Sequence, residues 1–214
     1  MAIEDALKAL QAFQGDSLTR RLAAIEGRIR GYGKIEIDSL CAGCGIDATF
    51  MDSALAIKRV AGQINVIIHA AGILQSLKTL LEPGEIVESL SLGAGNTGRQ
   101  FDLETNRRVA EYKFIDWQGG PESIRQNSIF KDFFELAEFQ THKKKYLYVI
   151  GLEFPLKFFN GGRALTSVLS RNPKIHAKIK EKYGDEVTKV CDYYAIKKED
   201  VAIYDISPHI GRSE

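Results

Sequence analysis

Two periods alternate along this chain. Apolar residues recur every three or four positions through most of the first 81 residues, and every second position through much of 85–117. The first spacing predicts helices and the second predicts strands. Ile3, Leu7, Leu10 and Phe13 form one helical stripe; Leu18, Leu22, Ile25 and Ile29 form another, with Asp16 or Ser17 placed to cap it. Gly31-Tyr32-Gly33 breaks the pattern, and a glycine-rich turn is expected around Cys41 to Gly45. From residue 48 or 49 to 81 the helical spacing returns behind Asp47; Gly62 or Gly72 would break or closely pack the run, and two helices are expected rather than one.

Glu82-Pro83-Gly84 reads as a turn, and residues 85–92 as the first strand. Residues 93–98 form a glycine-rich link that lacks the Gly-Lys-Ser/Thr ending of a phosphate-cradling loop. Runs 100–104 and 109–117 flank a polar turn at Thr105, Asn106 and Arg107, which is a hairpin signature. A helix is expected over 121–139, opened by Gly120, Pro121 and Ser123, then a strand over 146–152. A short helix at 164–170, a lysine-rich helix at 173–183 and a last strand at 201–206 follow; residues 192–195 fit neither period. The expected fold class is α/β: one domain with a central mixed sheet of four or five strands flanked by helices. Residues 1–47 would be a helical extension, 48–152 the core, and 153–214 the C-terminal helices and last strand.

Composition changes this picture little. A chain of 214 residues can bury one sizeable core, and 44% hydrophobic with 27% charged residues is ordinary for a globular protein. The net charge of +1 neither announces nucleic-acid binding nor excludes it, since basic residues can cluster locally. The N-terminus carries no apolar signal region, no run reaches 18 apolar residues, and three cysteines argue against a disulfide framework. A cytoplasmic protein is expected. Cys41 and Cys44 have C-x-x-C spacing, but Cys191 and histidines 69, 142, 176 and 209 do not complete a zinc pattern.

The hairpin holds the candidate chemistry. Side chains alternate along a strand, so Gln100, Asp102 and Glu104 share one face of the first run, and Val109, Glu111, Lys113, Ile115 and Trp117 share one face of the second. Two carboxylates on adjacent strands can hold Mg²⁺, which takes oxygen ligands and keeps several waters. Such an ion polarises a phosphate and activates a bound water, and a nearby lysine can position that water or stabilise charge on the phosphate. A surface hairpin with Glu111 and Lys113 as solvated decoration is the alternative. It would want polar neighbours, and Val109, Ile115 and Trp117 are apolar.

Asp102, eight intervening residues, then Glu111-Tyr112-Lys113 resembles the D…(D/E)-x-K signature of the PD-(D/E)xK nuclease superfamily, with its restriction-endonuclease-like fold. Gln126 and Phe130, spaced i, i+4, look like the Q-x-x-x-(Y/F) element of one of its branches. Phe101 stands where the motif has proline, and the superfamily's further acid on the preceding helix has no clear match. The resemblance spans residues 66–152 and implies a Mg²⁺-dependent (or Mn²⁺-dependent) phosphodiester hydrolase acting on DNA rather than RNA, and an endonuclease rather than an exonuclease. It implies Asp102, Glu111 and the Tyr112 carbonyl as metal ligands, Lys113 as the residue that positions water, and Gln126 as a further catalytic candidate. Glu88, alternating with Ile86, Leu90 and Leu92, could complete the site. His69 is a metal neighbour or a hydrogen-bonded core histidine. Arg125 and Lys143, Lys144 and Lys145 are candidates for backbone phosphates, the lysines equally for a solvated edge. A homodimer is expected by analogy. The rivals are a non-cutting nucleic-acid-binding module on the same fold and an unrelated interaction protein.

Overall fold

The two periods come out as a helical N-terminal part followed by mixed helices and strands, in a computed structural model that describes residues 3–93, 98–115, 117 and 122–211. The middle of the glycine-rich link, 94–97, and the expected helix-opening Gly120 and Pro121 lie outside the described residues. The chain divides into two compact units, Met1–Asn65 and Val66–Glu214.

The first unit contains α1 (Ile3–Gln14), α2 (Leu18–Arg28), α3 (Lys34–Cys44) and the beginning of α4 (Ala48–Leu80). Ser17 caps α2, its hydroxyl accepting the Arg20 N–H at 3.4 Å. The expected turn at Cys41 is instead the last part of α3. Glu36 accepts the Gly33 N–H at 3.0 Å, which starts the helix, and Gly45 ends it in the left-handed region at φ 69°. Both cysteines are free and sit on this helix.

The expected pair of helices after residue 47 is a single helix, α4, of 33 residues. Gly62 costs helix propensity but does not stop a segment supported on both sides. Gly72 has a packing role: a Cβ there would lie 2.4 Å from the Phe114 ring. By length and composition α4 could also cross a membrane, which the sequence reading did not anticipate. Its C-terminal part is nevertheless a core helix, because Ile73 and Ser76 are completely buried.

The second unit is built on a five-stranded mixed sheet in the order β1 (Val87–Leu90), β2 (Leu103–Thr105), β3 (Arg108–Lys113), β4 (Lys144–Val149), β5 (Ala202–Asp205). The first three strands are antiparallel neighbours; β3–β4 and β4–β5 are parallel. The β3-to-β4 crossover is α5 (Ser123–Glu138). Four further helices, α6 (Glu153–Phe159), α7 (Leu165–Val168), α8 (Pro173–Tyr183) and α9 (Val190–Lys197), separate β4 from β5. The α/β class with a mixed sheet of five strands is therefore present.

Alternation along the strands divides the core in two. Leu103, Ala110, Tyr112 and Tyr148 pack with Ile73 of α4 on one face. Val109, Leu147 and Val149 pack with Phe130, Phe133 and Leu136 of α5 on the other, where α6 to α9 extend the cluster through Phe159, Leu165, Ile179 and Tyr193. Asn127 ties α5 to this outer layer: its amide donates to the Val168 carbonyl at 2.7 Å and its carbonyl accepts from Asn172 at 2.6 Å. The far end of the hairpin is locked by a buried pair. Glu85 accepts from Arg108 Nε and Nη2 at 2.6 Å each and from the Thr105 hydroxyl at 2.7 Å.

Candidate active site

The β2–β3 register pairs Leu103 with Ala110, so one step outward brings Asp102 opposite Glu111. Asp102 lies just before β2, not within a longer strand as expected, yet its carbonyl still accepts the Ser91 N–H at 2.8 Å. Its carboxylate is fixed from two sides. Oδ2 accepts the Tyr112 N–H at 3.0 Å, and Oδ1 lies 3.2 Å from His69 Nε2 of α4. Phe114 stacks on Tyr112 at 5.6 Å and meets His69 edge-on at 6.0 Å, and the bare Cα of Gly72 leaves room for that ring.

Glu111 and Lys113 leave β3 toward α5, with Val109. Glu111 is buried and stands opposite Asp102 across the hairpin. Burial, then the neighbouring Asp132 and Asp102 carboxylates, push Glu111 up to about 9. Burial also works against the Asp102 carboxylate, but His69 and the Tyr112 N–H outweigh it and hold that group below its ordinary value. Lys113 Nζ forms an ion pair with Asp132 Oδ2 of α5. Burial opposes the ammonium, while Asp132, Glu111 and Asp102 raise it above its usual value.

Asp132 was absent from the sequence reading although a signal existed. It stands three residues after Ile129 and four before Leu136, on the buried stripe of α5, and is itself only 5% exposed. A carboxylate in mid-stripe is a group with a partner across the core.

Of the residues proposed from sequence, Asp102, Glu111, Lys113 and the backbone of Tyr112 come together, with His69 added. Arg125 is nearby, lining a small cleft with Lys113, Ile115, Trp117 and Ile129, and its guanidinium pairs with Glu122 at 2.5 Å. Gln126 is buried on α5, where its side-chain carbonyl accepts from Arg163; Phe130 is fully buried in the core. Glu88 and the three lysines lie elsewhere. Lys113 pairs with Val149 in the ladder, and Arg108 pairs with Lys144. Five positions of strand separate them, or roughly 16 Å. Glu88 and Glu104 both accept from Lys143 Nζ, at 2.6 and 2.7 Å, which neutralises that lysine. Lys145 Nζ donates to the Ala137 carbonyl near the end of α5 at 3.1 Å, and Lys144 is exposed.

Among the described residues no three His, Cys, Asp or Glu side chains are grouped to hold a metal ion. Magnesium does not demand three: it is commonly bound through one or two carboxylates, with waters and substrate phosphates completing the shell. Asp102 and Glu111, opposite each other across the hairpin, offer the carboxylate oxygens that a hard divalent cation takes. No family model matches the chain, and neither a curated protein nor a solved structure matches it.

Proposed function

We propose that this protein is a Mg²⁺-dependent nuclease, hydrolysing phosphodiester bonds in DNA, on a restriction-endonuclease-like fold. The observation that carries this reading is the half-buried Asp102 standing opposite the buried Glu111 across the hairpin, with the Lys113 ammonium two residues along the same strand face. The sequence α4, β1, β2, β3, α5, β4 is also the order the resemblance implies.

In this reading Asp102 and Glu111 hold the ion, with the Tyr112 carbonyl as a further oxygen, and Mn²⁺ can replace Mg²⁺. The bound cation supplies charge to polarise the phosphate and acidify a water. The chain does the rest. Tyr112 N–H and His69 orient the Asp102 carboxylate, so that its free lone pairs need no reorganisation. Lys113 directs its Nζ protons to the attacking water and to the oxygen on which charge develops. Arg125, at the cleft beside Lys113, contacts a flanking phosphate. The exposed Lys144 lies too far along the sheet for that role.

The test is cleavage of linear, circular and single-stranded DNA and of RNA, with and without Mg²⁺ or Mn²⁺. The expected result is metal-dependent cutting of DNA that Asp102→Ala and Lys113→Ala each reduce by at least ~10³-fold, the scale of removing a group that acts in the transition state. Cutting that survives both substitutions would overturn the assignment. DNA binding without cutting would favour a non-catalytic module.

A further inference from the structure

The pair across the core, Lys113 on β3 with Asp132 on α5, invites a question of necessity. Asp132 is flanked on its helix face by Ile129, Phe133 and Leu136, and an apolar residue would pack there without desolvating a charge. A residue that costs stability in this way is retained where it orients something.

On the nuclease reading above, we infer that Asp132 is the positioning residue of the active site, holding the Lys113 ammonium in place from the opposite layer. The geometry is specific. Lys113 has four rotatable bonds, and a partner at the far end of the side chain removes most of their freedom. The partner comes from the rigid middle of a 16-residue helix rather than from a loop. That helix is anchored on its other side by Asn127 to α7 and by Gln126 to Arg163, so Asp132 inherits a fixed position. Glu111 and Lys113 share a strand face, and Asp132 pulls the lysine head toward α5. The ammonium is thereby held apart from the Asp102–Glu111 oxygens instead of collapsing onto them. Collapse would leave the two carboxylates neutralised by their own lysine and block the cation. Asp132 touches neither the proposed ion nor substrate, and acts only through Lys113.

The experiment compares full-length wild type, Asp132→Asn, Asp132→Glu, Lys113→Ala and the double variant Lys113→Ala/Asp132→Asn. Hydrolysis is read on a DNA substrate and on bis(p-nitrophenyl) phosphate in Mg²⁺ or Mn²⁺, with thermal melts in parallel. Asp132→Asn should lower kcat by about 10–100-fold, with KM for DNA within about twofold. Asp132→Glu should recover part of kcat, and Asp132→Asn should cost nothing further once Lys113 is alanine. A residue serving stability alone would shift the melt without this kcat–KM split or the loss of effect in the Lys113→Ala background. Full kcat in Asp132→Asn, or a further loss in the double variant, overturns the positioning role while leaving the nuclease reading intact. A wild type that hydrolyses neither substrate overturns the nuclease reading, and this role with it.

Discussion

Glu85 and Arg108 show how much one buried charge pair decides at the end of the hairpin away from the proposed site. The Glu85 side chain is completely buried and accepts from Arg108, Thr105 and the Glu82 N–H. Burial raises its pKa, but the Arg108 and Thr105 hydrogen bonds outweigh that and leave it lowered. A lowered folded-state pKa stabilises the fold above the unfolded value, about 4.3 for glutamate, and that contribution is lost as pH falls through the folded value. Glu85→Gln leaves Arg108 without its counter-charge and should destabilise by about 3–5 kcal/mol at pH 7. Urea unfolding should show the gap between wild type and variant narrowing as pH drops below about 4. A gap unchanged between pH 7 and pH 3.5 would contradict this account. The same principle explains why Asp132 escaped notice in the sequence. Asp132 follows Lys131 in the sequence, and only its place on the Ile129–Leu136 stripe indicates burial. Its partner, Lys113, lies 19 residues earlier on another element, a pairing that helical spacing cannot reveal.

Elements with a strong period were legible, and those whose signal lay in one or two residues were not. The hairpin, α5, α8 and the last strand follow directly from alternation and helical spacing, and alternation alone put Glu111 and Lys113 on the face that meets α5. The α6 segment carries Pro155, which reads as a breaker, but it sits in the first turn, where its missing N–H is no loss. The α9 segment is rich in β-branched and aromatic residues; Asp192 decides it by accepting the Lys189 and Thr188 N–H groups at 2.8 and 3.0 Å. For Gly72 the sequence leaves a break and close packing as alternatives, and the structure decides for packing, because the ring it admits, Phe114, follows a strand about 40 residues away. That role gives a prediction whose sign runs against propensity. Alanine in a helix interior gains about 1 kcal/mol over glycine, but here its Cβ would overlap the Phe114 ring, and overpacking costs about 1–3 kcal/mol. Gly72→Ala should therefore lower the melting temperature and disturb His69, whereas Gly62→Ala, with nothing within 4 Å, should raise it. Both changes raising it would refute the packing role.

At the scale of the whole molecule, the residues of the proposed site all belong to the unit Val66–Glu214. That unit holds both hydrophobic clusters, while the first unit buries few apolar side chains and leaves Ile3, Leu7, Leu18, Leu22 and Ile35 exposed. A chain beginning at residue 48 keeps α4 whole, and should retain a cooperative thermal transition and the cleavage activity of the full chain within about threefold, since stability rests on the buried core. Loss of cooperative melting would mean that the first unit is needed for the second to fold. The proposed site centres on two carboxyl groups, Asp102 and Glu111, opposite each other at the end of the β2–β3 pairing. The measurement that addresses them directly is single-turnover cleavage of circular DNA across a Mg²⁺ titration, comparing wild type with Glu111→Gln. Saturable, metal-dependent cutting by wild type, reduced at least ~10³-fold in Glu111→Gln at every Mg²⁺ concentration, is the predicted result. Wild-type cutting that needs no divalent ion, or equal rates for the two proteins, would contradict it.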